Sequence, residues 1–209
     1  MITCIHAYLI CYQEEVNIKK SKKIAKLLRI QCEQCGSCCC DPVIEVTHHD
    51  LRRLVKHLGV PAERLIRLYS PSDFNDDDDS DWITLSYGRR KLGLKKKPDG
   101  TCIFLSDKRQ CTAYEARPMS CRVFPVDVVL SERNDLVDLD LSDVVRDKFI
   151  RCRHTTGKPV PFKAFMGKAQ QSRNESVSYW KKIEQWNRLP GKGRKNDFLK
   201  FLGVTLPAS

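Results

Sequence analysis

The sequence predicts an α+β fold in which short antiparallel hairpins sit between helices. Two helical signals frame it: the capped amphipathic stretch "THHDLRRLVKHLG", and a long apolar periodicity from Phe162 to Trp186. Between them, runs of β-branched and aromatic residues are interrupted by turn residues such as Pro98-Asp99-Gly100. With 209 residues, 41% of them hydrophobic, the chain has enough apolar material for a packed core. No apolar run reaches the roughly 18 residues that a membrane span needs, so no membrane partner is expected.

Taken in order, Lys19 to Arg29 reads as a weakly amphipathic basic helix around Ile24, Leu27 and Leu28. In the next helix Thr47 is the cap, with Asp50 three residues on. Leu51, Leu54, Val55 and Leu58 form its apolar stripe and Gly59 its end. Pro61 opens a second helix, predicted to run through Leu65, Ile66, Leu68 and Tyr69. Ser70 to Asp81 is too polar to bury and is expected to be a loop. Its Asp76–Asp79 run lacks the spacing and glycine of a calcium loop. Strands are predicted at "WITLSY", "KLGLKK" and "TCIFL", and a hairpin at "RVFPVDVVL" and "DLVDLDL", joined by "SERN". The long helix is expected to bury Phe162, Phe165, Met166, Ala169, Val177, Trp180 and Ile183. Gly191 to Lys195 is a basic linker, and "DFLKFLGV" a short last helix.

The chemistry lies in the cysteines. "CEQCGSCCC", from Cys32 to Cys40, packs sulfur far more densely than a structural core requires. The N-terminal "MITCIHAYLICYQEEV" has no basic segment before its apolar stretch and no small-residue cleavage site. A cytoplasmic location is therefore expected, where structural disulfides are disfavoured; the odd count of 11 cysteines argues the same way. Cys32-x2-Cys35-x2-Cys38 is a spacing at which soft thiolates select zinc or an iron–sulfur cluster. If the chain is extended there, Cys38 and Cys39 face opposite ways and serve different metal positions, while Cys40 simply packs. Cys102, Cys111, Cys121 and Cys152 lie near turns or segment ends, as ligands from separate loops should. With Cys32, Cys35, Cys38 and Cys39 they make a pool of eight, enough for two four-thiolate sites or one site with spare thiols. Cys4 and Cys11 stand apart. The first three cysteines match a ferredoxin run, but Cys40-Asp41-Pro42 comes too early to complete it. A zinc ribbon would need a second C-x2-C. Zinc and iron both stay open.

The joint pattern of "CEQCGSCC", "GTCIFL…CTAYEARPMSCRVFP" and the later Cys152 resembles the CxxCxxCC, or YkgJ-like, cysteine-cluster family of zinc- or iron-chelating domain proteins. The resemblance covers roughly residues 30 to 157. It implies metal binding through Cys32, Cys35, Cys38, Cys39, Cys102, Cys111, Cys121 and Cys152. Cys152 departs from the pattern, since "CRHTTGK" stands where "CPG" is common. Flagellin lysine methylases carry a similar cysteine domain, which adds an enzymatic reading. The organisation that follows is a basic helical extension over 1–29, a cysteine-cluster metal-binding domain over 30–157, and a C-terminal helical region over 158–209 packed on it.

Arg117 and Arg122 flank Cys121. Four thiolates around a divalent zinc leave a formal charge of about −2, and these guanidinium groups are expected to offset it from around the cofactor. Of the histidines, His48, His49 and His57 read as surface or helix-end residues, and His154 is of interest for its closeness to Cys152. The sequence has no phosphate-binding P-loop, no dinucleotide G-x-G-x-x-G and no clear S-adenosylmethionine loop.

The leading expectation is a protein that chelates zinc or an iron–sulfur cluster, such as a 4Fe-4S cluster, in a structural or redox role with a protein or redox partner. A zinc-stabilised nucleic-acid-binding module is a second reading, from the net charge of +11. It is not favoured, because the aromatics are not interleaved with the basic patches. A protein-modifying enzyme of the lysine N-methylase type is the third.

Overall fold

The computed structural model describes residues 35–40, 43–74, 81–131, 136–142 and 162–204. The basic helix expected at Lys19 to Arg29, the Asp76–Asp79 run, Cys4, Cys11, Cys32, Cys152 and His154 lie outside these residues. The fold is α+β, with helices and antiparallel sheets.

Helix α1 (His48–Leu58) begins where the sequence marks it. The Thr47 hydroxyl accepts from the Asp50 N–H, and the Asp50 carboxylate accepts from the Thr47 N–H at 2.8 Å. Such a capping box satisfies donors that the first turn leaves free. Gly59, at φ 66°, ends the helix in the left-handed conformation that glycine adopts without steric cost. Leu51, Leu54 and Val55 are buried, as their spacing predicts.

The second predicted helix is cut short. Helix α2 covers only Ala62–Leu65, and the chain then becomes strand β1 (Ile66–Tyr69). This strand pairs antiparallel with β3 (Gly88–Leu94), setting Ile66 against Leu94 and Tyr69 against Lys91. Ile66 and Tyr69 are buried. A ladder partner and a half-buried surface outweigh the local helical pattern. Strand β2 (Ile83–Leu85) pairs with the other end of β3. Beyond it, residues 44–46 run beside β3, with hydrogen bonds from Val46 N–H to Leu92 O and from Leu94 N–H to Ile44 O. Gly93 makes this crossing possible: a Cβ there would lie 2.8 Å from Val43 and 2.9 Å from the Tyr69 ring.

"TCIFL" is not a strand. Isolated bridges, Lys96 with Cys102 and Leu105 with Cys111, hold it as a looped segment. "RVFPVDVVL" splits into the end of helix α3 (Met119–Val123) and strand β4 (Val126–Leu130), with proline between them. Strand β5 (Leu136–Leu141) pairs with β4 as predicted.

Helix α4 (Phe162–Arg188) has the predicted extent but a rotated face. Phe165, Ala169, Ser172, Ser176, Tyr179, Ile183 and Trp186 are buried, whereas Val177 and Trp180 are only partly covered. Its C-terminal end caps the free edge of β2: Trp186 Nε1 donates to Thr84 O at 2.9 Å, and Asn187 Oδ1 accepts from Thr84 N–H at 2.8 Å. Capping of this kind removes an edge open to pairing. Helix α5 (Lys195–Leu202) then lays Phe198 against Trp186 with ring centroids 5.2 Å apart. The main core joins α1, the sheet, Cys102, Phe104 and these two C-terminal helices.

Two buried polar groups have consequences for stability. The Lys91 side chain is 1% exposed, with Nζ 3.0 Å from Asp81 and above the Trp82 ring at 4.9 Å. Removing one partner of a buried pair leaves the other charge uncompensated. Asp81 sits at φ 59°, so Asp81→Asn keeps a residue that tolerates this backbone while deleting the charge. The expected loss is about 3 kcal/mol in urea unfolding.

His48 is buried beside His49, and its Nδ1 has no hydrogen-bond partner. Burial, followed by the charges of His49, Arg52 and Lys182, lowers its pKa to about 4 from 6.5. The unfolded chain therefore takes up a proton near pH 6.5 that the folded chain refuses until about pH 4. The stability contributed by neutral His48 is complete above that range and is lost as the pH falls through it. Urea midpoints measured from pH 7 to 4 should fall less steeply for His48→Gln than for the parent protein.

Candidate metal centre

The cysteine loop is a turn, not an extended segment. Gly36, at φ 72°, leads into a single 3₁₀ turn at Ser37–Cys39, closed by Cys39 N–H to Gly36 O at 3.1 Å. The Cys40 thiol turns back onto Gly36 O at 3.2 Å, and Cys35 Sγ lies 3.5 Å from the Ser37 hydroxyl. The alternation expected for Cys38 and Cys39 therefore does not hold. The Cys38 side chain hydrogen-bonds to Cys39.

A second loop meets the first through its backbone. Cys102 N–H donates to Cys39 O at 2.8 Å, which seats Cys102 directly on the cysteine loop. The Lys96–Cys102 and Leu105–Cys111 bridges shape this segment into two consecutive turns, at residues 97–100 and 106–109. Gly36 fits against the second of them: a Cβ on Gly36 would meet Leu105 Cδ1 at 2.7 Å and Arg109 O at 2.9 Å. Cys121 comes from α3, whose first N–H, that of Met119, donates to Asp50 at 2.8 Å. Cys39, Cys111 and Cys121 pack, partly buried, against the core that contains Cys102.

Electrostatics tie three of these sulfurs together. Cys39 is lowered to about 7 by the Cys38 hydrogen bond, with help from the Arg109 charge and against its own burial. Cys102 is pushed up to about 12 by burial, and the neighbouring Cys39 and Cys111 add to the rise. Among the described residues the cysteines form no disulfide. Among the described residues, no three His, Cys, Asp or Glu side chains converge tightly enough to hold a metal ion. The donor set nevertheless suits a soft cation, with Cys38 hydrogen-bonded to Cys39 and with Cys102 in the field of Cys39 and Cys111.

Arg117 and Arg122, expected to offset thiolate charge, hydrogen-bond to backbone carbonyls of their own segment. Arg117 stacks on Tyr114 at 3.7 Å and donates to Tyr114 O; Arg122 donates to Arg117 O and Glu115 O. They brace the turn that delivers Cys121. The Arg109 guanidinium meets a cysteine sulfur, lying 3.5 Å from Cys40 Sγ, and donates to Cys35 O at 3.3 Å. Nothing in the local pattern of "SDKRQC" distinguishes Arg109 from Lys108, since only the tertiary fold brings the two loops together. His49 bonds to the Ser178 hydroxyl at 3.3 Å, and His57 is exposed.

Cysteines offered from a tight turn and from facing loops, on a small frame of helices and antiparallel strands, describe a cysteine-cluster domain. The comparison with protein families agrees, because residues 31–140, more than half of the chain, match the CxxCxxCC family, described as a "putative zinc- or iron-chelating domain". The chain belongs to this family. It is also 30% identical over 98 residues to the uncharacterized protein MJ0661 of Methanocaldococcus jannaschii, a match that covers 46% of this chain and 44% of that one. The chain thus spans less than half the length of that curated relative. No solved structure matches the chain. Among the described residues, no helix is long and apolar enough to cross a membrane.

Gly36→Ala tests the seat of the cysteine loop. The substitution strains a left-handed residue and drives a methyl into Leu105 and the Arg109 carbonyl. Stability should fall by about 2 kcal/mol in thermal or urea unfolding, and the hydrogen exchange of the Cys39 and Cys102 amides should quicken more than that of α5.

Proposed function

We propose that this protein chelates zinc or iron through thiolates of the cysteine loop and the downstream loops. The candidate ligands are Cys32, Cys35, Cys38, Cys39, Cys102, Cys111, Cys121 and Cys152. The observation that carries this reading is the Cys102 N–H to Cys39 O hydrogen bond. It joins, backbone to backbone, the two halves of the cysteine pattern, 63 residues apart in sequence (102 − 39). The Cys38 hydrogen bond to Cys39 links a further cysteine to this junction.

The residues themselves prepare the site. The Phe104 backbone hydrogen-bonds to Cys102 and Arg109 lies on Cys40, and partial burial restrains the side chains from which a soft cation would take its ligands. A bound cation favours the thiolate form, which is the change Cys102 requires, being held protonated by burial. Zinc would supply a cross-link between the loops, and a 4Fe-4S cluster would supply a one-electron couple as well. A structural role follows from the first and a redox role from the second, both in a reducing cytoplasm that keeps the thiols free.

Metal content and the visible spectrum of protein purified without air test this reading. Zinc without colour, or iron and sulfide with a broad band near roughly 400 nm, would support it and choose between the two. Cys35→Ser and Cys121→Ser should each lower metal stoichiometry and the melting temperature. Full stoichiometry and unchanged melting in both variants would overturn the ligand assignment.

A further inference from the structure

We infer that Arg109 is the positioning residue of the cysteine loop: its fork straddles the turn that carries Cys38 and Cys39, holds it in register, and brings a positive charge to its sulfurs. The inference rests on the metal-chelating reading only for the second of these roles.

The geometry of the turn comes first. Arg109 closes the Ser106–Arg109 turn, with its N–H on Ser106 O at 2.8 Å and its backbone at φ 58°. Ser106 N–H returns to Gln110 O at 2.8 Å, and Gln110 N–H bonds to the Ser106 hydroxyl at 3.1 Å. The turn is therefore braced from both sides and presents the arginine from a defined origin. From there Nε donates to the Cys35 carbonyl at 3.3 Å and Nη2 reaches Cys40 Sγ at 3.5 Å. Cys35 precedes the 3₁₀ turn and Cys40 follows it. One planar group thus holds both ends of a loop whose middle carries two candidate ligands. The arginine backbone participates as well, because its carbonyl packs where only a glycine at position 36 leaves room.

This geometry assigns a use to Cys40, which falls outside the family's eight candidate ligands. Its sulfur bonds to Gly36 O and lies against Arg109, so it works as an anchor for the fork. A lysine could not do the same. Its ammonium is a point charge, whereas the guanidinium presents several donors in a fixed plane. The neighbouring cation Lys97 is committed elsewhere, with Nζ on Leu105 O. A thiolate-rich metal site carries surplus negative charge, and outer contacts of this kind hold the ligands and tune the metal. Because Arg109 is exposed, its charge is felt through solvent and must weaken as salt is added.

Arg109→Gln and Arg109→Lys separate the two roles; the side chain is exposed, so both variants should retain the fold, which far-ultraviolet circular dichroism checks. In metal-free protein, the amides of Cys39, Cys40 and Cys102 should exchange about tenfold faster in both variants, because neither keeps the fork. In zinc-loaded protein, Arg109→Gln should release zinc to a chromophoric chelator at least about tenfold faster than the parent. Arg109→Lys should recover much of that loss at low ionic strength and little of it at high salt. Exchange within about twofold of the parent would overturn the positioning role. Equal zinc release from the parent and Arg109→Gln would overturn the charge role. A parent protein that takes up neither zinc nor iron would sink the proposed function and the charge role with it, while exchange alone would still decide the positioning role.

Discussion

The Asp50 carboxylate is the contact on which the arrangement around the cysteines depends. It is buried, and it accepts hydrogen bonds from the Thr47 N–H, the Thr47 hydroxyl, the Met119 N–H and Arg53. A buried carboxylate is tolerable only when its lone pairs are used in this way. The four contacts tie together two parts of the chain, and a third follows through Arg53. Thr47 starts α1, Met119 starts the helix that carries Cys121, and Arg53 goes on to make a forked pair with Glu175 of α4 at 2.7 and 2.8 Å. The forked, charge-assisted pair is the stronger kind of polar contact. One side chain thus sets the entry of α1, the start of α3 and the approach of the long helix.

Around this anchor the cysteines come from loops, and backbone contacts locate the loops. The Cys102 amide on Cys39 O and the Arg109 backbone against Gly36 bring two loops within van der Waals distance. Such close approach is available because Gly36 has no Cβ. The same device recurs at Gly93, where the segment entering α1 crosses β3 beside Tyr69. Side chains complete the frame. Tyr69 Oη bonds to Leu94 O at 2.6 Å, and Trp186 with Asn187 covers the edge of β2. A rigid frame with sulfur-bearing loops suits metal chelation, since a site is only as well defined as the elements that hold its ligands.

The two sulfurs with shifted acidities illustrate what tertiary placement does to one chemical group. Cys39 and Cys102 are the same residue type, yet the first is drawn down towards neutrality and the second driven well up. The difference is environmental: a donating thiol and a nearby guanidinium on one side, and a buried apolar wall with other thiols on the other. Composition could not have separated them.

The sequence by itself determined the fold class, the borders of α1, the long helix over Phe162–Arg188 and the identity of the cysteine pattern. These are local properties: capping residues act within one turn, amphipathic periodicity repeats along one segment, and the chain belongs to the family that its cysteine spacing resembles. The tertiary structure alone decided that Ile66–Tyr69 is a strand, that α4 turns Tyr179 and Trp186 inward while Val177 stays partly covered, and that Arg109 meets a cysteine sulfur. Each of these depends on a partner distant in sequence. A strand needs its ladder, a helix face needs the surface it packs on, and a guanidinium finds its sulfur only after the loops have closed.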